Sequence, residues 1–327
     1  MKNILQWGIA LGVVLGAALA LAALAWQPDK PLPLLEQRWA SAPSQWLAVS
    51  IEATKESPAT QIKLHLRDEG PRNDPHPIVL LHGTGSSLHT WDGWAKQLVA
   101  TRRIVRIDLP GFGLTGGFAD GNYSMQRYNA TLSALMAALK LPPSIIVGNS
   151  LGGMLAWRFS LHAPQQVNKI VLINSIGYPV QIRDMPMAFV LPQLPVLKYI
   201  VPYSLPRFAI ENSLHSVYSD HKKVTPKLVD RYFELALRPG NRQALIDQFA
   251  MRRSSDLYGQ TAALIGKVHT PAFILWGADD QLVPLAHAGW FNKDIAHSSL
   301  AILPGLGHVP MEEDPVKSLA AVRQFLN

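Results

Sequence analysis

The sequence predicts an α/β protein with a doubly wound, mostly parallel β-sheet, a helical cap insertion and an N-terminal transmembrane helix. Short apolar runs of strand length alternate with helical stretches from residue 46 onward, and this alternation favours parallel strands covered by helices on both faces. No convincing strand falls between residues 178 and 268, which indicates a helical insertion above the sheet. A long apolar run at the start of the chain predicts the membrane helix.

The first apolar run, residues 4–26, is interrupted only by the polar Gln6. As a helix rising ~1.5 Å per residue it would be roughly 35 Å long, which is enough to cross a bilayer core. Trp7 and Trp26 lie near its ends, where aromatic rings favour the membrane interface. Small-x-small patterns of alanine near its end also fit a cleavable signal peptide. We expect residues 1–26 to be a single-pass anchor with the rest of the chain on the extracytoplasmic side, and secretion after cleavage is the alternative.

Residues 27–45 are predicted to be a linker, because prolines and polar residues dominate there. The predicted strands and helices follow it. The run at 77–81 is continuously apolar, which is typical of a strand buried on both faces. Ser124 is placed to cap a helix, and Asp314 with Pro315 marks the start of the last one. The predicted strands are 46–51, 61–67, 77–81, 103–107, 144–147, 169–173, 271–276 and 300–303, and the predicted helices of the core are 90–100, 124–139, 151–162 and 316–326.

A cap is predicted for residues 179–268. Prolines punctuate the apolar first half of this stretch, and helical patterns follow at 227–237 and 242–251. The core is then formed by the two flanking parts of the chain, residues 46–178 and 269–327.

The composition excludes several classes of site. The chain has no cysteine, which excludes disulfides, thiolate metal sites and a cysteine nucleophile. Its formal net charge is +7, but the lysines and arginines do not interleave with aromatic residues as a nucleic-acid surface requires. The histidines show no His-Glu-x-x-His spacing. We therefore expect no metal, no cofactor and no nucleic-acid partner.

The strongest chemical signal is the sequence Gly148-Asn-Ser-Leu-Gly152, which stands between a predicted strand and a predicted helix. A nucleophile on such a tight turn has a strained backbone, and the glycines two residues before and after it let the flanking chain pass without a clash. The hydroxyl of Ser150 would then be exposed at the carboxyl end of the sheet, beside the N-terminus of the next helix. Ser150 is the candidate nucleophile.

A serine hydroxyl needs a base, and the base needs an orienting carboxylate. His308 is the candidate base, because it lies in a loop framed by Gly and Pro just past the predicted strand at 300–303. Asp279 and Asp280 both follow the predicted strand at 271–276 and are candidates for the carboxylate. Each of them is also a residue type that holds turns.

Several motifs together resemble the α/β-hydrolase superfamily. The order serine, acid, histidine along the chain is that of this fold. Leu81-His-Gly-Thr-Gly resembles the His-Gly loop after its third strand, and Asp108-Leu-Pro-Gly-Phe-Gly resembles its Asp-x-Pro-Gly-x-Gly segment. The family's Trp-Gly-x-x-Asp motif falls on Asp280, which decides between the two aspartates. The resemblance covers roughly residues 46–327 except for the cap, where no motif matches.

The resemblance implies a role for each residue of the site. Ser150 would attack a carbonyl, and His308 would accept its proton and later donate it to the leaving group. Asp280 would hold the imidazole tautomer. The backbone N–H groups of Thr84 and Leu151 would form the oxyanion hole.

Other residues of these motifs are expected to be structural. His82 is expected to hold its loop, and Asp108 its glycine-rich turn. Asn174 follows the predicted strand at 169–173, where some members of the superfamily carry their acid, so an amide there further favours Asp280. A serine nucleophile also excludes the members that use aspartate in its place.

The resemblance implies a membrane-tethered serine hydrolase. We expect a carboxylesterase or lipase-like enzyme that cleaves a small apolar ester or lipid-like substrate through an acyl-enzyme. One alternative is a hydrolase of carbon–carbon bonds in ring-fission diketones, because Asn149 in Gly-Asn-Ser-x-Gly-Gly also occurs in those relatives. Another is a hydrolase-fold protein that binds a ligand without catalysis, against which the complete set of Ser, His and Asp argues. The oligomeric state stays open.

Overall fold

Eight strands form one β-sheet in the computed structural model, which describes residues 26–53, 58–179, 201–254 and 261–327 together with Gly16. The strands are β1 (Gln45–Ile51), β2 (Thr60–Glu69), β3 (Ile78–Leu81), β4 (Ile104–Ile107), β5 (Ser144–Asn149), β6 (Val167–Ile173), β7 (Ala272–Gly277) and β8 (Ser298–Leu303). Their order across the sheet is β1-β2-β4-β3-β5-β6-β7-β8. β2 pairs antiparallel with β1 and with β4, and the other neighbouring strands of this sheet pair in parallel. The prediction of a mostly parallel sheet is confirmed.

Each predicted strand is present, and the central strands are buried on both faces. In β3, Val79 and Leu81 belong to one hydrophobic cluster, whereas Ile78 and Leu80 belong to the cluster on the opposite face. A strand covered on both faces buries consecutive side chains, so its sequence shows no alternation of apolar and polar residues. This is why the apolar run at 77–81 predicts a central strand.

Helices cover both faces of the sheet. They are α1 (Leu32–Trp39), α2 (Asp92–Leu98), α3 (Met125–Ala138), α4 (Leu151–His162), α5 (Arg207–Val217), α6 (Pro226–Ala236), α7 (Asn241–Ser254), α8 (Thr261–Ile265), α9 (Ala286–Asp294), α10 (Pro310–Glu313) and α11 (Pro315–Leu326). Trp157 of α4 and Phe291 of α9 lie in one hydrophobic cluster, and Trp94 of α2 and Leu319 of α11 lie in the other. The doubly wound arrangement follows from these two clusters.

The described part of the cap lies between β6 and β7 and contains α5, α6, α7 and α8. α6 begins at a capped proline: Thr225 Oγ1 accepts the Leu228 N–H at 3.3 Å, and Pro226 occupies the first turn, where a missing N–H costs nothing. We propose on this basis that residues 179–268 form a cap inserted into a core of residues 46–178 and 269–327.

The structure adds a cap helix, α5, that the sequence does not predict. Pro206 stands immediately before this helix. Because the first N–H groups of a helix have no partner inside it, a proline there is compatible with helix formation rather than a sign of a loop. Residues 180–200, which contain most of the prolines behind the prediction for the first half of the cap, lie outside the described residues.

The predicted linker at 27–45 contains a helix that packs on the cap. Leu35 and Trp39 of α1 are buried. Trp39 Nε1 donates to Glu234 Oε2 of α6 at 2.8 Å, and Lys30 Nζ lies 2.7 Å from Glu234 Oε1. The partners of α1 lie about 200 residues later in the chain, so the local sequence of this segment could not predict its packing.

The expected single-pass membrane anchor is corrected by the structure. Within the part of the chain that the structure describes, no helix has both the length and the apolar character that a membrane span requires. The longest helices there have 14 residues, which is ~21 Å against a hydrocarbon core of ~30 Å. The apolar run behind the expectation lies outside the described residues except for Gly16 and Trp26. The expectations of membrane attachment, of an extracytoplasmic location and of secretion after cleavage are not retained.

Candidate active site

Ser150 lies on a tight turn between β5 and α4. Its backbone has φ 55° and ψ −113°, a left-handed conformation that is rare for a residue with a side chain. The flanking glycines are needed because backbone atoms approach them closely. A Cβ on Gly148 would lie 2.0 Å from Gly152 O, and a Cβ on Gly152 would lie 2.1 Å from Leu81 O. The Gly-x-Ser-x-Gly pattern is therefore a steric requirement of this turn.

The turn places Ser150 at the N-terminus of α4. The Ser150 N–H donates to Ile173 O at 3.0 Å, which fixes the turn to the end of β6. The residue keeps 7% of its surface exposed. Negative charge that develops on a group bound at this point is stabilised by the positive end of the helix dipole.

His308 and Asp280 form a buried pair. His308 Nδ1 lies 2.7 Å from Asp280 Oδ2, and the side chain of Asp280 has no exposed surface. Asp280 Oδ1 accepts the backbone N–H groups of Leu282 at 2.7 Å and Val283 at 3.1 Å. Asn174 Nδ2 donates to Asp280 Oδ2 at 2.7 Å. Because a carboxylate only accepts hydrogen bonds, a neutral His308 that is bonded to it through Nδ1 carries its proton there and leaves Nε2 as the acceptor.

Asp279 has a different environment. Its carboxylate accepts the hydroxyl of Ser219 in the cap at 2.6 Å, and its N–H donates to Leu306 O at 3.0 Å. The structure thus places Asp280, and not Asp279, in contact with His308.

Asn149 connects the turn of Ser150 to the loop of His308. Its amide is buried, and Nδ2 donates to His308 O at 2.9 Å and to Ile173 O at 3.1 Å. The residue next to Ser150 therefore holds the backbone of His308, so the two loops lie side by side.

The His-Gly loop lies directly against Ser150. A Cβ on Gly83 would lie 3.1 Å from Ser150 Cβ and 2.9 Å from Asn149 Oδ1. His82 is fully buried, accepts the Leu109 N–H at Nε2 (2.9 Å) and donates from Nδ1 to Gly83 O (2.7 Å). Burial lowers the pKa of His82. A neutral imidazole that joins two backbone segments has the structural role expected for this residue.

Asp108 accepts hydrogen bonds from the end of the His-Gly loop and from its own glycine-rich turn. Its carboxylate accepts the N–H groups of Leu88 and Leu114, each at 2.7 Å, and lies 2.7 Å from His65 Nδ1. Burial alone would raise the pKa of Asp108, but the charge and hydrogen bond of His65 outweigh it, and the pKa lies below its ordinary value. A carboxylate that ties two loops together fits the structural role expected for it.

The family of this chain is shown by its match to a family model. Residues 76–315 match the family described as alpha/beta hydrolase fold. The chain belongs to this family. It is 28% identical over 272 residues to 2-hydroxy-6-oxo-2,4-heptadienoate hydrolase of Pseudomonas putida F1, a match that covers 81% of this chain and 93% of the relative.

Two solved structures show the same fold. The α/β hydrolase superposes on the meta-cleavage product hydrolase of Pseudomonas fluorescens IP01 with a TM-score of 0.70, at 24% identity over 85% of this chain and 97% of the other. It also superposes on a membrane phospholipase A with a TM-score of 0.71, at 21% identity over 100% of this chain and 98% of the other. At these identities the likeness concerns the fold.

The structure of this α/β hydrolase brings together residues that sequence reasoning did not select. Arg231 and Tyr232 of α6 both contact the Glu312 carboxylate, the tyrosine at 2.7 Å, and Tyr232 Oη lies 3.1 Å from Ser86 Oγ in the His-Gly loop. Glu313 contacts the loop of His308. The only signal in the sequence is that both glutamates closely follow His308. Among the described residues, no three metal-ligating side chains lie close enough together to hold an ion.

Proposed function

We propose that this α/β hydrolase is a serine hydrolase that cleaves a carbon–carbon bond next to a ketone, in a diketone of the kind produced by ring fission. The mechanism is supported by the contact between His308 Nδ1 and the buried Asp280 carboxylate, in a loop that Asn149 holds beside Ser150. The substrate class is supported by the 28% identity to 2-hydroxy-6-oxo-2,4-heptadienoate hydrolase over 93% of that relative.

The first half of the proposed reaction forms an acyl-enzyme. His308 Nε2 accepts the proton of the Ser150 hydroxyl as its oxygen attacks the ketone. The N–H groups of Leu151 and Thr84 hold the oxyanion, and Asp280 stabilises the imidazolium. The carbon–carbon bond then breaks, its electron pair passes to the second carbonyl as an enolate, and the imidazolium supplies the proton.

The second half releases the acid. Water loses a proton to His308 Nε2 as it attacks the acyl carbonyl, and the proton returns to Ser150 as the ester bond breaks. In sum, one diketone and one water give a carboxylic acid and a second product with an enol or ketone group.

Hydrolysis of a carboxylic ester is the second candidate, and one observation favours it. Asn149 links the sequence to the carbon–carbon hydrolases, but both hydrogens of its amide are donated to backbone carbonyls. This amide therefore has no donor left for a diketone. An ester substrate needs the same three side chains, with an alcohol as the leaving group instead of an enolate.

Parallel assays separate these functions. The wild type and the Ser150→Ala variant are assayed on a ring-fission dienoate and on p-nitrophenyl esters of increasing chain length, and both are treated with a fluorophosphonate probe. We expect the wild type to be labelled, Ser150→Ala to be unlabelled, and the dienoate to have the higher kcat/KM. Turnover of esters alone would select the second candidate. A folded wild type with neither turnover nor labelling would indicate a ligand-binding protein and contradict both.

A further inference from the structure

The loop that carries His308 is attached to the cap along one short segment, residues 217–223, which we name the cap strap. The His308 N–H donates to Val217 O at 2.8 Å. Ser219 Oγ of the same segment donates to the carboxylate of Asp279, the residue before the acid, at 2.6 Å. The cap strap therefore contacts both of the loops that carry the His–Asp pair.

Glu313 holds the cap strap and the His308 loop at a fixed separation. Its side chain is buried, with 4% of the residue exposed. Oε1 accepts the N–H of Asp220 in the cap strap at 2.8 Å, and Oε2 accepts the N–H of Gly307, beside His308, at 2.8 Å. The backbone carbonyl of Glu313 accepts Lys223 Nζ at 2.9 Å. One carboxylate thus joins the His308 loop to the cap strap, whose Asp220 lies 93 residues before Glu313 in the chain.

The two segments touch without an intervening side chain. A Cβ on Gly307 would lie 2.4 Å from Val217 O and 2.9 Å from Ser219 N. Any side chain at this position would push the cap strap away from the His308 loop. Gly307 therefore permits the close contact between the cap strap and the His308 loop because it has no side chain, and Glu313 stabilises the same contact with its hydrogen bonds.

Burial of the Glu313 carboxylate destabilises the folded chain unless hydrogen bonds compensate for the lost contact with water. Removing an ionised carboxylate from water is strongly unfavourable, and hydrogen bonds from oriented N–H groups are needed to offset it. Those of Asp220 and Gly307 provide this compensation. The outcome of the arrangement is a fixed distance between the cap and the backbone next to His308.

We propose that Glu313 is a positioning residue for His308 and that, through it, the placement of the base depends on the cap strap. This rests on the proposed function, because it takes His308 as the base. A general base has to stay within hydrogen-bond reach of its proton donor, and a displacement of about 1 Å costs about 100-fold in rate. A cap strap that moves when substrate enters would therefore change the rate of the chemical step as well as access to Ser150.

The test is Glu313→Gln, with Glu211→Gln as the matched control. Glutamine offers one acceptor oxygen, so it can satisfy the N–H of Gly307 or that of Asp220, and it turns an NH₂ group toward the other. We expect kcat to fall about 10- to 100-fold with KM changed by less than about threefold. The rate constant of fluorophosphonate labelling at Ser150 should fall by a similar factor. Glu211 is a half-buried residue of α5 paired with Arg207, and its variant should match the wild type.

Gly307→Ala should also lower kcat and the labelling rate constant, because the Cβ of the alanine would separate the cap strap from the His308 loop. Since both substitutions act on one contact, the double variant should lose much less than the product of the two single effects. Labelling rate constants describe the folded molecules, so a lower folded fraction reduces only the labelling amplitude. Unchanged rate constants in Glu313→Gln, or a loss confined to amplitude, would overturn the positioning role. A wild type that is folded but not labelled would instead overturn the proposed function.

Discussion

Asn174 Nδ2 donates a hydrogen bond to Asp280 Oδ2 at 2.7 Å, and the same oxygen lies 2.7 Å from His308 Nδ1. The Asn174 Oδ1 accepts the N–H of Gly277 at the end of β7 at 3.0 Å. Asn174 has φ 44°, so its backbone is also in the left-handed region. An amide can donate and accept at once, which a carboxylate cannot do, and so it orients the acid without adding charge to the site.

Replacement of Asn174 should therefore have graded effects. Asn174→Ala removes the donor to Asp280, and we expect kcat to fall about 10-fold. Asn174→Asp removes the donor and adds a like charge beside a buried carboxylate, so it should cost about 100-fold or more. Asn292→Asp, on the exposed surface of α9, is the control for the chemical change. An Asn174→Asp enzyme as active as the wild type would contradict this account of how Asp280 is held.

The two neighbouring aspartates should differ strongly in their importance for kcat. Asp280→Asn removes the charge that orients His308 Nδ1, and loss of a triad acid of this kind costs about 10⁴-fold. Asp279→Asn keeps an acceptor for the hydroxyl of Ser219 and should retain kcat within about threefold. Steady-state kinetics on any accepted substrate checks the difference. The reverse ranking would show that Asp279 is the acid.

Asn149 should act on all substrates alike. Asn149→Ala removes two hydrogen bonds that hold Ile173 O and His308 O, so we expect lower stability and a lower kcat for ester and diketone by the same factor. Asn241→Ala is the matched control, because Asn241 Nδ2 also donates to two carbonyls, those of Gly113 and Leu235. Both variants should lose about 2 kcal/mol of stability. A loss restricted to the diketone in Asn149→Ala would mean that this amide contacts the substrate.

Stability should decrease below neutral pH because of His89. Burial lowers the pKa of this residue from 6.5 to about 4, against the opposing effect of Asp108. The unfolded chain then takes up a proton below about pH 6.5 that the folded chain excludes until about pH 4, so the free energy of unfolding falls over this window as pH decreases. The slope from this residue approaches about 1.4 kcal/mol per pH unit.

Denaturant unfolding between pH 7 and pH 4.5 measures this effect. His89→Gln removes the titrating group, so its stability should depend less steeply on pH than that of the wild type. His297→Gln, on the exposed surface, should leave the slope unchanged. Equal slopes for His89→Gln and the wild type would assign the acid sensitivity to other groups.

The sheet and the triad candidates were predictable because their signals are local. Each buried strand has its own apolar run, and Ser150, Asp280 and His308 each follow the end of one strand. Topology brings such strand ends to one edge of a parallel sheet. Asn174 also follows a strand end, although its hydrogen bond to Asp280 depends on two strands meeting in space.

The contacts between the cap and the core were not predictable because their partners are distant in the sequence. Glu313 stands between another glutamate and Asp314, and nothing in that pattern indicates that Asp220 supplies an N–H. The packing of α1 likewise depends on a residue far away in the sequence, Glu234 of α6. For the apolar run at 4–26, hydropathy alone predicted a membrane span, whereas no helix among the residues that the structure describes has the length and apolar character of one.

The position of the cap between β6 and β7 also has a consequence for synthesis on the ribosome. Ile173 of β6 pairs with Leu275 of β7, so about 100 residues have to be made before this pair can form. At about 5–20 residues per second this takes roughly 5–20 s. During that time β6 is the open edge of an unfinished sheet, and apolar open edges attract other chains. The nascent chain is therefore most in need of chaperone protection while its cap is being translated.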